Sequence, residues 1–105
     1  MIGSLRERIE LLKPMRTPDE GGGFSVSYAP HTAIAARIEG KRSITERIAE
    51  QNFRRFRQVF VIRSREDLLF EMRLRHGGRL YRIANIAEDD PAPRFTAVEA
   101  EEIMP

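Results

Sequence analysis

The stretch TPDEGGGFSVSY, Thr17 to Tyr28, sets three consecutive glycines directly before an alternating apolar run. Glycine-rich loops cradle phosphates where a strand leads in, a helix leads out, and Lys followed by Ser or Thr completes the site. Here Phe24, Val26 and Tyr28 alternate with Ser25 and Ser27, the period-two signature of a half-buried strand, and no GK[ST] occurs anywhere. Asp19 and Glu20 would repel a phosphate as well. The glycines therefore read as a turn between two strands, and the surroundings read as β.

Working outward, Ile34, Ala36 and Ile38 continue the alternation beyond a break at Pro30, which gives one long interrupted strand ending near Gly40. Ser43 to Glu46, SITE, forms a capping box, and Ile44 and Ile48 share a face at helical spacing, so a short helix is expected from Ile44 to Gln51. RQVFVIRSR is β-rich and apolar on both faces at its centre, and Leu68, Phe70, Met72 and Leu74 alternate after it. Gly77-Gly78 marks a hairpin. Tyr81 and Ile83 then lie on one face while Ala84 and Ile86 fall on the other, which places a bulge near Ile83–Ala84. EDDPAP is a loop, and RFTAVEAEEI a last strand. At the N-terminus, Ser4 and Glu7 make a capping box and Leu5, Ile9 and Leu12 fall at helical spacing; RIELLK is also acceptable as a strand, and the periodicity slightly favours helix.

The expected fold is mainly β: a small antiparallel β-barrel or sandwich, with one short helix or long ordered loop between the second and third strands. The chain of 105 residues reads as one domain, with residues 40–58 as a loop or short-helix insertion and 88–94 as a loop before the last strand. A domain of this size buries only about two-thirds of its unfolded surface, so contacts with neighbouring subunits would add useful stability. With no cysteine there is neither a disulfide framework nor a thiolate zinc site. MIGSLRERIELL has no apolar core of a secretory signal, and no apolar run approaches the roughly 20 residues that span a bilayer, so a soluble, cytoplasmic protein without membrane contact is expected.

Net charge is +2, but its distribution is uneven. Nine basic residues lie between Arg37 and Arg65 against Glu39, Glu46 and Glu50, whereas six acidic residues from Glu88 onward face only Arg94. A positive middle and a negative tail suit polyanion contact or head-to-tail packing of identical subunits. Lys41, Arg42, Arg47, Arg54, Arg55 and Arg57 are the candidates for contact with DNA or a neighbouring subunit, and Glu99, Glu101 and Glu102 are the acidic candidates for intersubunit pairing. In NFRRFRQ the arginines stand beside Phe53 and Phe56, a basic and aromatic cluster suited to phosphate binding and stacking. The simpler reading, a solvated face or intersubunit ion pairs, is preferred to DNA contact. His31 and His76 have no partner at metal-ligand spacing and read as exposed turn residues, and Asp89-Asp90 reads as a polar turn. No catalytic constellation stands out; neither metal nor cofactor is expected, and an enzyme is the least favoured class.

The order of motifs is similar to that of the phage head–tail joining family, the head-closure or stopper proteins of tailed phages, including gene transfer agent homologues. The likeness is carried by LRERIELLKP, by Asp19, Gly22 and Gly23 leading to Tyr28, by AIAARIEG, by Ala49 to Gln51, by IRSR from Ile62 to Arg65, and by MRLRHGGRLYRI. It implies a first strand from about Arg6 through Met15 in place of the helix. It also implies a homo-oligomeric ring, six-fold or at times twelve-fold, between a portal-adaptor protein on the head side and a tail terminator or tail tube protein on the tail side. Packaged double-stranded DNA would run through the channel, with the 40–58 segment facing that channel or the next ring. The location implied is a virion or phage-like particle assembled in the bacterial cytoplasm. The alternative from the residues alone is a stand-alone nucleic-acid-binding β-barrel using the 53–57 cluster.

Overall fold

The computed structural model describes residues 5–88 and 94–103, apart from the side chains of Lys41, Arg42 and Arg55. Six strands make up the fold: β1 (Glu7–Pro18), β2 (Phe24–Ile48), β3 (Gln51–Arg63), β4 (Arg73–His76), β5 (Arg79–Glu88) and β6 (Phe95–Glu102). All neighbours are antiparallel, and the order β1-β2-β3-β6-β5-β4 closes on itself as a barrel through the β1–β4 pairing. The mainly β expectation holds, and the first element is a strand.

The interior is filled rather than open, as a barrel of so few strands requires. Ile9, Leu11, Ala36, Phe60, Ile62, Leu74, Ile83, Val98 and Ala100 point inward and are buried. Phe60, fully buried, lies edge-on to Tyr81 with ring centroids 5.3 Å apart and to His76 at 5.8 Å. His76 is thus a half-buried member of the barrel wall, its Nε2 3.1 Å from Glu7 Oε1, and not the exposed turn residue expected from sequence.

β2 sets the shape. Its first half pairs with β1 from Phe24 to Ala36, its second half pairs with β3 from Ala36 to Ile48, and only Ala36 belongs to both ladders. Twenty-five residues of straight strand would run about 80 Å, yet the longest extent of the molecule is 53 Å. The strand therefore bends, and two bulges supply the bend: His31 is skipped where Leu11 pairs with Thr32 and Leu12 with Pro30, and Glu39 is skipped beside Gly40. Gly40, at φ +116°, permits what a side chain would resist. The ends of β2 run past the barrel as two hairpin arms, β1–β2 at one end and β2–β3 at the other. They raise the radius of gyration to 15.6 Å, against about 13 Å for a compact chain of this length.

The helix expected from Ile44 to Gln51 is not formed: β2 runs on through Ile48, Ala49 and Glu50 turn, and β3 starts at Gln51. The segment 40–58 is accordingly neither helix nor loop but a β-hairpin. A two-turn helix closes only a few hydrogen bonds and must find a docking surface. The same residues as a hairpin extend ladders already nucleated in the barrel, and the β-branched Ile44, Thr45 and Ile48 suit a strand. The alternation from Leu68 to Leu74 is likewise only partly a strand. Residues 64–72 form a loop, in which Leu68 packs on the core and Met72 is buried while Phe70 faces solvent.

Two turns and a bulge match their reading. Asp19 Oδ1 accepts the amides of Gly21 and Gly23 at 2.9 Å each, so a carboxylate fills the space a phosphate would need. Gly77 and Gly78, both at positive φ, close the β4–β5 hairpin, and the β5–β6 register shifts between Ile83 and Asn85. The expected 88–94 loop, apart from its two end residues, lies outside the described residues, as do Asp89 and Asp90.

The β2–β3 turn is the strained one, because Ala49 and Glu50 carry φ of 50° and 65° without being glycine. A two-residue turn with both central residues at positive φ favours Asn-Gly. Replacing Ala49-Glu50 by Asn-Gly is expected to stabilise the hairpin by about 1 kcal/mol, read as roughly five-fold slower hydrogen exchange of the arm amides at unchanged barrel structure.

Candidate functional site

The β2–β3 arm gathers the six basic residues singled out in the sequence. Register pairs Lys41 with Gln58, Arg42 with Arg57, Ile44 with Arg55, Thr45 with Arg54 and Arg47 with Asn52. Since paired residues share a face, Arg47 and Arg54 lie with Phe56 on the side continuous with the barrel interior. Arg57 lies with Ile44, Ile48 and Phe53 on the side continuous with the outer wall. The Arg–Phe alternation of NFRRFR thus gives both faces of the ribbon an aromatic and a basic component. Phe53, Phe56 and Ile48 are all exposed, at 45%, 56% and 44%, in a chain whose core is otherwise closed.

The basic residues are not equivalent. Arg57, at the root, donates from Nε to Glu101 Oε2 at 3.0 Å, with Nη1 3.8 Å from Glu99 Oε1. Arg82 donates to the other Glu101 oxygen at 2.8 Å, and Asn85 Nδ2 donates to Glu99 Oε2 at 2.8 Å. Glu99 and Glu101 are 6% and 8% exposed although they sit on the outer face of β6, because long side chains from β3 and β5 lie over them. Arg47 and Arg54, further out, are exposed and make no ion pair among the described residues.

The acidic candidates therefore sit inside the chain's own network. Glu99 and Glu101 pair within the subunit, and Glu102, more exposed, lies 3.5 Å from Arg79. Sequence reading missed Arg82 and Asn85. The signal for them was their place on β5 at positions cross-strand from Glu101 and Glu99, which depends on a register the bulge shifts. It also missed the guanidinium of Arg73 stacked 3.9 Å over the Tyr28 ring at the root of the β1–β2 arm. At that end of the barrel Asp67 accepts two hydrogen bonds from Arg65, at 2.8 and 3.0 Å, and one from His31 Nε2 at 2.8 Å. The Arg65 guanidinium first, and His31 second, hold the Asp67 carboxyl well below the usual carboxylate range. A depressed carboxylate contributes its stabilisation fully above its ordinary titration range and loses it only as pH falls toward the depressed value. The clamp's contribution is therefore present at neutral pH and is lost progressively as pH falls below the ordinary carboxylate range. No group of three metal-ligating side chains occurs among the described residues.

Removing Glu101 leaves Arg57 and Arg82 without their shared acceptor over a nearly buried position. Glu101→Ala is expected to lower the unfolding free energy by about 1–3 kcal/mol, measured by denaturant titration, with Glu102→Ala changing it by less than about 0.5 kcal/mol.

Comparison with known proteins places this geometry. The chain aligns over 97% of its length with a chain in the virion of a native gene transfer agent particle, at TM-score 0.73 and 20% identity, covering 98% of that chain. Protein SF1141 of Shigella flexneri 2a matches at TM-score 0.68 and 19% identity, over 96% of this chain and 95% of that one. At such identities the likeness is one of fold. No curated protein sequence matches the chain. The profile of one family does match, over residues 1–103, in agreement with the order of motifs in the sequence: the chain belongs to the phage head completion protein family.

Proposed function

We propose that the chain is a structural subunit of the head–tail connector of a tailed phage or gene transfer agent particle. In this reading it forms a head-closure or stopper ring that joins the DNA-filled head to the tail and lines the DNA channel. The observation that carries it, beyond family membership, is the arm of residues 41–57. The arm holds six basic residues against Glu46 and Glu50, and it exposes three large apolar side chains that the barrel does not need. A part built for fold stability would bury Phe53 and Phe56; a part built for assembly presents them.

A connector subunit must meet its own copies, a portal-adaptor on one side and a tail terminator or tail tube protein on the other. Arms leaving opposite ends of one barrel give each subunit the reach to do so. Arg47 and Arg54 are then free for duplex phosphates in the channel or for carboxylates of a neighbour, both of which guanidinium groups bind bidentately. The role is mechanical, without catalysis, cofactor or metal. Six-fold closure is the favoured arrangement, inside a particle assembled in the bacterial cytoplasm.

The register supplies a clean test. Arg42 and Arg57 are a cross-strand pair, so residues 43–56 can be exchanged for Asn-Gly and the ladder closed by a two-residue turn. The shortened chain is expected to keep its barrel and its melting cooperativity. Cells carrying it in place of the wild type should accumulate DNA-filled heads without tails, with joined particles down about tenfold or more, equivalent to roughly 1.4 kcal/mol lost per joint. Wild-type numbers of tailed particles by electron microscopy would overturn the reading. Tight binding of short duplexes by the isolated wild-type monomer, falling with salt by about 0.9 log units per phosphate contacted, would favour the stand-alone nucleic-acid-binding barrel.

A further inference from the structure

The loop between β3 and β4 presents an acidic and apolar knuckle, Glu66-Asp67-Leu68-Leu69-Phe70-Glu71. Leu68 turns into the core, but Leu69 and Phe70 stand 49% and 57% exposed. They are held there rather than left loose. Asp67 ties the loop to Arg65 and to His31 on the β2 bulge, and the Met72 amide donates to the Leu69 carbonyl at 3.1 Å. Glu66 and Glu71 flank the apolar pair, exposed and without an ion pair among the described residues.

The opposite end of the barrel has the complementary surface. Beneath the β2–β3 arm the barrel mouth holds a hollow of about 230 Å³ walled by Ile38, Gln58, His76, Gly77, Arg79 and Tyr81. A smaller hollow beside it shares Gln58, Arg79 and Tyr81 and adds the exposed Phe56 and Glu102, which lies 3.5 Å from Arg79. Arg54 and Arg47 stand on the same face of the arm as Phe56. One end of the molecule thus offers an apolar projection flanked by the Glu66 and Glu71 carboxylates, and the other a recess of mixed lining, in which Glu102 lies beside Arg79 and Glu7 beside His76, under an arm face that carries Phe56, Arg54 and Arg47.

Resting on the connector reading above, we propose that the Leu69–Phe70 knuckle of one copy docks in the barrel mouth of the next, beneath its 41–57 arm. The contact is heterologous, so it repeats from copy to copy and closes into a ring when the rotation per subunit allows. Opposite charge between Glu66 and Glu71 of the knuckle and Arg47 and Arg54 of the overlying arm sets the register of docking and disfavours knuckle against knuckle. The other exposed apolar side chains, Met15, Phe24 and Val26 on the β1–β2 arm, fit the recess less well. Val26 lies cross-strand from Arg16, a like charge for the basic arm, and the Asp19 carboxylate beside them is committed to its own turn.

The chain has no cysteine, so introduced thiols report one contact each. Phe56→Cys and Phe70→Cys replace exposed side chains at opposite ends of the barrel and leave the core intact. In particles from cells producing the double variant in place of wild type, oxidation or a short bismaleimide should yield a ladder of cross-linked copies. Co-production of the two single variants should yield dimers joining one variant to the other, and neither alone should dimerise. Phe70→Cys dimers, a link from Phe70→Cys to a different particle protein, or no link with the chain present in the particle would each overturn the docking while leaving the connector role intact. Absence of the chain from tailed particles would instead end the connector reading, and this contact with it.

Discussion

One strand serving two partners is the constraint from which the architecture follows. β2 must pair with β1 along its first half and with β3 along its second, handing over at Ala36. A side chain larger than methyl at that point, fully buried where three strands meet, would press into Ile9, Ile62 and their neighbours in a packed core. Because the two ladders overlap at one residue, each runs past the barrel on its outer side. The arms are therefore not insertions added to a barrel but the unavoidable ends of a strand too long for it.

This division also separates stability from function along the chain. The barrel closes around Phe60 and its aromatic neighbours, and it carries the buried apolar area that opposes chain entropy. Each arm is a two-stranded ribbon, marginal by itself in water. Such a ribbon opens at lower free energy than the barrel strands that anchor it. An arm of this kind would gain most from a partner, since docking would bury Phe53, Phe56 and Ile48, which the monomer leaves exposed. The strained Ala49–Glu50 turn fits the same logic: hairpin stability is held below what Asn-Gly would provide.

Much of this was legible in the residues. The Asp19–glycine turn, the Gly77-Gly78 hairpin and the phase change at Ile83 each encode a local rule, and each is obeyed; the alternation from Phe24 gives the strand, but Phe24 and Val26 are exposed on the arm and not half-buried. The helix reading of SITERIAE failed because a capping box and two isoleucines are local signals, while the competing hairpin is stabilised by pairing with Gln51 to Arg57, which the local pattern does not weigh. The candidate cations were found by composition alone, and their sorting into two faces required the register. Glu99 and Glu101 were the least legible. Their charge was plain, but their burial depends on Arg57, Arg82 and Asn85, residues brought alongside by strands distant in sequence.

That last point changes how the charge asymmetry should be understood. Read as a string, the chain has a positive middle and a negative tail, and opposite ends of such a string invite neighbours to pair. Folding joins the two within one subunit, because β3 and β6 are adjacent and Arg57 covers the carboxylates of β6. Charge neutralised in this way steers no partner, since its field is short-ranged beyond the pair and screened by salt. Among the described residues, the exposed charges without an ion pair include Arg47 and Arg54 at the end of one arm and Glu66 and Glu71 beside an exposed Phe70 at the far side of the barrel, and on the proposed reading specificity would come from these. Ion pairs between exposed groups contribute little energy and much orientation. Affinity would rest instead on the aromatic side chains among them, the residue type that dominates interface energetics when desolvated. On that reading the arginines and glutamates would decide which surfaces meet, and the phenylalanines whether they stay.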